Sequence, residues 1–377
     1  MEHIIYLDNS ATTKPCKTSV EYINNALLNN WGNPSSLYSF GIEAETAVNS
    51  ARQAIAKKIS SREDEIIFTG SGTEANNTAI LSVRNSRNKK IITTAIEHPS
   101  VLNTVKRLEN NGFEVARLGC DSSSVIDLNR LEKELDSRVC LVSIMLVNNE
   151  VGSVQPVAEA VKIIRKHSPQ AIIHCDAVQA FGKIPINVKN LGIDMMSASA
   201  HKIHGPKGIG FLYCRKGVKL TPFITGGGQE FGMRSGTESV PLICGFEGAV
   251  KELPDLKTAE EKIRGINLYA RQIFKDSGFI EINSDINACP YILNISVEGY
   301  RSETLLHFLE SRNIFVSSGS ACAKGEVSYV LKELQLDRSR IDSALRLSFS
   351  RDNKKEDMDL VLEALKEAAG RLRRSNI

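Results

Sequence analysis

The chain has 377 residues, 42% hydrophobic and 24% charged, ordinary globular values that exclude collagen, coiled coil and wholesale disorder. Its 47 Lys+Arg against 44 Asp+Glu leave a net charge of +3, without the basic excess that phosphate-backbone binding shows, so direct nucleic-acid binding is not expected. No run reaches the roughly 18 apolar residues of a membrane span, and the acidic, interrupted start "MEHIIYLDNSATT" does not read as an export signal; a soluble, cytoplasmic protein with no membrane partner is expected.

In chain order, "EIIFTG" (65–70), "KIITTAI" (90–96), "FEVARL" (113–118), "VCLVSIMLV" (139–147), "AIIHCDA" (171–177), "DMMSASA" (194–200) and "GIGFLYC" (208–214) read as seven strands. Several are apolar on both faces, and amphipathic stretches such as "PSVLNTVKRLENNG" and "VAEAVKIIRKHS" separate most of them. That order predicts an α/β fold with a mainly parallel sheet covered by helices on both faces. From about residue 255 the pattern changes to a long polar helix, two strand-like runs ("YILNISV" and "IFVSSGS") and a charged final helix ending "RLRRSNI", the pattern of a smaller α+β domain. The expected division is a large domain over 14–255 and a small one built from 1–13 and 256–377.

The eight cysteines contain no CxxC or CxH pair, the closest, Cys120 and Cys140, being 20 positions apart, so no metal site is expected. Seven sit among apolar neighbours, as buried thiols do. Cys322 differs: "VSSGSACAKGE" is a run of small and polar residues that suits an exposed, mobile loop.

Ligands of a parallel sheet bind at the carboxyl ends of its strands. After "EIIFTG" comes "SGTEANN", where Gly70 and Gly72 allow a tight turn and Thr73 opens a helix able to hold a phosphate, although most such turns hold none. After "AIIHC" comes Asp176, whose simplest reading alone is a helix N-cap. After "DMMSA" comes "SAHKIHGPKGIG", with Ser199, His201 and Lys202. A phosphate site, a carboxylate for a protonated ring nitrogen and a lysine for an aldehyde together ask for pyridoxal 5′-phosphate. A nicotinamide enzyme would want GxGxxG, and "TGSGTEA" has Ala75 in the last place. His174 and His204 read as satisfied packing residues.

The successive motifs "YLDNSATTKP", "WGNPSS", "FTGSGTEANN", "TTAIEHPSV", "VNNEVGSVQPV", "HCDAVQAFGK", "SAHKIHGPKGIG", "GGGQEFGMRSGT", "SSGSAC" and "LRLSFS" resemble those of the cysteine desulfurases, class V aminotransferase-like enzymes of iron–sulfur assembly and tRNA thiolation, from Tyr6 to Phe349. The resemblance implies the fold-type-I architecture of pyridoxal-phosphate transferases. It implies that Lys202 bonds the cofactor aldehyde, Asp176 pairs with the ring nitrogen, Gln179 and Asn149 lie by the ring hydroxyl, and His98 stacks on the ring and can move protons. Gly72, Thr73, Ser199 and His201 would hold the phosphate, with Thr237 reaching it from a second subunit of a homodimer. Arg346 would fork onto the substrate carboxylate, beside Asn149, Ala11 and Thr12.

The implied reaction converts L-cysteine to L-alanine. Cysteine takes the place of Lys202 on the cofactor, Lys202 removes the α-proton, and the thiolate of Cys322 takes the sulfur as a persulfide for an iron–sulfur scaffold or a tRNA-thiolation acceptor. A selenocysteine lyase, another carbon–sulfur lyase and a non-catalytic desulfurase-like scaffold are the alternatives. Two departures stand out: Tyr38 replaces the family's usual histidine, and "AKGEVSYVL" after Cys322 lacks the usual Thr-Ser and is a couple of residues short. A shorter loop reaches less far, so either delivery only to a closely docked partner or a different way of binding a metal-cluster edge is expected.

Overall fold

The computed structural model describes residues 4–318 and 327–374. Its thirteen strands among those residues are β1 (Ile5–Tyr6), β2 (Ile66–Thr69), β3 (Lys90–Thr94), β4 (Glu114–Leu118), β5 (Val139–Ser143), β6 (Ile172–Asp176), β7 (Met195–Ser199), β8 (Gly210–Cys214), β9 (Glu281–Ile282), β10 (Ile292–Ser296), β11 (Ile314–Phe315), β12 (Ser317–Ser318) and β13 (Ala344–Ser348). The α/β class holds. A seven-stranded sheet runs β2-β8-β7-β6-β5-β3-β4, with every pair parallel except those made by β8. The link 200–209 between β7 and β8 is shorter than the crossover of about a dozen residues that a parallel neighbour needs, so β8 folds back antiparallel. Its first residue must be small: a Cβ on Gly210 would stand 2.6 Å from Ala198 O and 2.7 Å from Ser71 C.

Strands β2, β3, β5, β7 and β8 are buried along their whole length, as the two-faced apolar runs require, and only the edge strand β4 is largely open to solvent. The helices that matter for the site are α1 (Lys17–Asn29), α2 (Ser39–Ile59), α3 (Gly72–Leu81) and α4 (Pro99–Glu109). α3 follows β2 and α4 follows β3, each entering from the carboxyl edge.

The apolar run over 139–147 is strand only to Ser143. Beyond it the chain keeps touching β6 through Ile144 N to His174 O (3.1 Å) and Leu146 N to Asp176 O (2.8 Å), then turns at Asn148, whose side chain accepts from the amides of Glu150 and Val151. Continuous apolarity there reflects burial above the sheet rather than strand length.

A second sheet, β12-β13-β10-β9, is antiparallel throughout, and β1 pairs in parallel with β11. "YILNISV" supplies β10, while "IFVSSGS" is split between β11 and β12, which pair with different partners. "LRLSFS" supplies β13, fully buried and lacking the alternation that would mark it as a strand. The first residues join this sheet: Leu7 N donates to Phe315 O (2.8 Å) and Ser348 N to Leu7 O (2.6 Å). Among the described residues no helix is long and apolar enough to cross a membrane.

Candidate active site

A cavity of about 220 Å³ opens at the carboxyl edge of the seven-stranded sheet, walled by Gly72, Thr73, His98, Asn149, Asp176, Gln179, Ser199, His201 and Lys202. Nine residues chosen from sequence thus meet in one place. Asp176 ends β6, Ser199 ends β7 and is followed at once by His201 and Lys202, and the two strands are hydrogen-bonded neighbours with Asp176 opposite Ser197.

The head of α3 forms one wall. Ser71 caps it by accepting from the amide of Glu74 (3.1 Å), leaving the amides of Gly72 and Thr73 free of helical partners, the arrangement that attracts an anion. A Cβ on Gly72 would meet Val178 Cγ2 at 2.7 Å, so glycine lets the helix seat against the segment after Asp176. Thr73 is exposed at this head.

Asp176 is buried, with Oδ1 accepting from Val178 N–H (2.9 Å) and Oδ2 from Asn76 Nδ2 (2.7 Å). It heads a turn rather than the helix its N-cap reading supposed. His98 caps α4: Nδ1 accepts from Ser100 N–H (3.1 Å), which leaves the proton of a neutral ring on Nε2. Burial holds its pKa below the ordinary histidine value, against the pull of Asp176. Burial, with Lys202 beside it, pushes His201 down to about 4, so this ring is neutral and its Nδ1 meets Thr12 Oγ1 at 3.2 Å.

Lys202 Nζ donates to the backbone carbonyls of Ser10 (2.5 Å) and Ala11 (2.8 Å). Burial first, then the positive charges of Lys183 and Arg346, bring its pKa from 10.5 to about 7, while Asp8 and Asp176 oppose them. An amine that loses its proton near neutrality can act as nucleophile and base. Gln179 donates from Nε2 to Ser10 O (2.9 Å) and accepts on Oε1 from Lys183 (2.9 Å).

Arg346 does not line this cavity. From the middle of β13 it donates to Asn149 O (3.0 Å) and to Asp8 Oδ1 (2.9 Å), its Nε being buried with no partner among the described residues. Ala11 is exposed and Thr12 half-buried beside Lys202. Thr237 is exposed and does not line the cavity of its own chain. Cys322 and residues 323–326 of the short segment after it lie outside the described residues. Further along the chain, Ser328 donates to Glu150 Oε2 (2.5 Å) and Tyr329 OH to Glu97 O (2.6 Å). Tyr38, 60% exposed, precedes α2.

Sequence reasoning missed Asn76, Ser10 and Lys183. Asn76 lies one turn beyond Thr73 within "TEANN", and helical spacing from Thr73 would have found it. Ser10 acts through its carbonyl, which no residue type announces. The expected buried thiols are there: of the seven described cysteines only Cys120 is not fully buried. His174 is a packing residue bonded to Ser143 and Ser197, and burial pushes it down to about 4.

The donor set fits pyridoxal 5′-phosphate. It offers a helix head free of internal bonds, a buried carboxylate and a lysine amine on one cavity, together with two buried acceptors, Asn76 Oδ1 and Asn149 Oδ1, that have no partner among the described residues. Buried acceptors left unpaired are uncommon and point to a missing donor.

Similarity to known proteins agrees with this geometry. Residues 5–361 match the aminotransferase class-V family. A protein of Nostoc sp. named cysteine desulfurase is 42% identical, over 98% of this chain and 94% of its own. A solved structure described as a NifS-like protein superposes with a TM-score of 0.92 at 36% identity, covering 98% of this chain and 100% of that one. Another, SspA in complex with cysteine, gives 0.82 at 33% identity over 92% and 98%. This chain belongs to the aminotransferase class-V family.

Proposed function

We propose that this protein is a pyridoxal 5′-phosphate-dependent cysteine desulfurase, converting L-cysteine to L-alanine and passing sulfur to an acceptor of iron–sulfur assembly or tRNA thiolation. The observation that carries the reading is Lys202, an amine with its pKa drawn to about 7, delivered to the end of one strand beside buried Asp176 at the end of the next.

When bound, the cofactor supplies an aldehyde that bonds amines and a ring that accepts the electron pair left when a bond at the substrate α-carbon breaks. The chain's own part is positioning and proton movement. Asp176, tethered by Asn76 and Val178 N–H, offers a fixed carboxylate to the ring nitrogen. The head of α3, with Gly72 and Thr73, and Ser199 and His201 offer neutral donors to the phosphate. Lys202 takes the α-proton on Nζ, and His98, neutral with its proton on Nε2, covers the ring and can return a proton. Gln179 and Asn149, which both line the cavity, would lie on the side of the ring hydroxyl. Arg346 binds the substrate carboxylate, exchanging Asp8 for it, with Ala11 and Thr12 alongside. Cys322 receives the sulfur as a persulfide.

Residues 14–255 act as the cofactor domain and 1–13 with 256–377 as the smaller one, a division supported by the sheets, since the seven-stranded one is built wholly from the first range and the four-stranded and two-stranded ones from the second. The enzyme works as a cytoplasmic homodimer. The support is a concentration of exposed apolar side chains on α1, α2 and the segment between them, with Leu28 75%, Trp31 64%, Leu37 94% and Phe40 47% exposed and the Trp31 and Phe40 rings 4.9 Å apart, more than single scattered apolar residues account for. Thr237, exposed and away from its own cavity, then serves the partner's site.

The test is the visible spectrum of the purified protein before and after L-cysteine, with alanine and sulfide assays on wild type and Cys322→Ala. A visible band that shifts with cysteine, with alanine formed only when Cys322 is present, is the expected result. A colourless protein that cannot be loaded leaves a scaffold, and alanine formation indifferent to Cys322 leaves a different lyase. A monomer in sedimentation would remove the Thr237 assignment.

A further inference from the structure

Behind Lys202, away from the cofactor cavity, lies a second, small cavity of about 60 Å³, and Lys202 is part of the wall between them. Five basic residues, Lys183, Lys202, His204, Lys262 and Arg351, line it, and no aspartate or glutamate does. Lys183 is the unusual member. It is 6% exposed, its Nζ has Gln179 Oε1 as acceptor at 2.9 Å and lies 6.0 Å from the centre of the Tyr291 ring, and the titratable groups that act on it are Arg346 and the Cys289 thiol, which burial keeps protonated, with no carboxylate among them. A buried ammonium with no counter-ion is costly, and a lysine retained in that state is more often functional than structural.

The contacts of Lys183 lead in one direction. It occupies the amide oxygen of Gln179, which fixes the orientation of that amide; Nε2 therefore donates to Ser10 O at 2.9 Å, and Ser10 O is the same atom that accepts from Lys202 Nζ at 2.5 Å. We propose that Lys183 is a positioning residue for Lys202, acting through the Gln179 amide and the shared Ser10 carbonyl and through a positive charge in a rear cavity whose lining holds no carboxylate, the nearby Glu252 being paired with Arg351. The proposal deepens the desulfurase reading and rests on it.

The electrostatics run the same way. Burial brings Lys183 down to about 8, so at neutral pH it still carries most of its charge and, after burial itself, is the largest influence lowering Lys202. The other groups facing Lys202 are Arg346, Asp8, Asp176, His98 and His201. None of them sits on the rear side with Lys183.

Competitive acetylation of the full chain before cofactor is added, from about pH 6 to pH 10, read by mass spectrometry at Lys202, tests this directly. Wild type should show a Lys202 midpoint near 7. Lys183→Met should raise it by about half a unit or more, Lys183→Gln, which keeps an N–H for Gln179 but no charge, should do the same, and Lys183→Arg should restore it. A folded Lys183→Met protein with the wild-type midpoint overturns the proposal; Lys183→Gln carries the same test if Lys183→Met does not fold. In wild type alone, a Lys183 midpoint below that of Lys202 also overturns it. Loading is judged separately: wild type that gains no visible band with pyridoxal 5′-phosphate refutes the desulfurase reading, whatever the acetylation shows.

Discussion

On the seven-stranded sheet Asp176 is the last residue of β6, Ser199 the last of β7, and His98 caps the helix that follows β3. On the four-stranded sheet Arg346 sits in the middle of β13, opposite both Asn294 and Ser317. In the parallel sheet every strand ends on the same edge, so that edge collects side chains no longer committed to the ladder. In the antiparallel sheet strand ends alternate between edges, and a functional group must project from within a strand and be neutralised where it lies, as Asp8 neutralises Arg346. The first kind of site is assembled by topology and the second by a pairwise contact.

The largest effect is expected at Lys202. Lys202→Ala removes the base from the strand-end cluster and should lower alanine formation by about a thousandfold or more, measured in single turnovers with cysteine; a loss of less than tenfold would mean the cluster is not the reacting centre. On the other sheet, Arg346→Lys keeps the charge but loses the fork, and should raise KM for cysteine roughly tenfold with a smaller change in kcat. An unchanged KM would leave Arg346 as a structural partner of Asp8.

Glu97 sharpens the contrast with a pH effect. It is fully buried beside Asp176, Oε1 accepting from Met145 N–H (2.7 Å) and Thr94 Oγ1 (2.9 Å), and burial raises its pKa from 4.5 to about 8. The folded protein therefore holds a proton there that the unfolded chain has released, so this contribution is full below about 4.5 and is lost as pH rises through about 8. Glu97→Gln, which cannot ionise, should flatten the fall of melting temperature between pH 6 and pH 8.5, gaining about 2 °C or more at the alkaline end. Parallel melting curves for the two proteins would show that Glu97 is ionised throughout.

The seven strands and the residues at their ends were legible because period, length and apolarity all pointed to the same edge. Arg346 was legible only through resemblance, since "LRLSFS" lacks the alternation of a half-exposed strand and Asp8 lies at the far end of the chain. Ser10 and Lys183 stayed hidden for another reason: Ser10 meets the cluster through a main-chain atom and Lys183 through Gln179, and residue type says nothing of either, whereas Asn76 bonds Asp176 directly and was within reach of helical spacing from Thr73.

The resting place of the Lys202 amine is made from the main-chain oxygens of Ser10 and Ala11. Every amino acid carries that oxygen, so changes of side chain at positions 10 and 11 leave the amine's acceptors in place as long as the backbone keeps its course. That course is set by Asn9, whose Nδ2 donates to Tyr6 O and Ser348 O, and by Ser10 N–H donating to Ser348 Oγ. Mutational tolerance at the two contact positions and intolerance at Asn9 and Ser348 is the pattern that a lineage of such chains would accumulate.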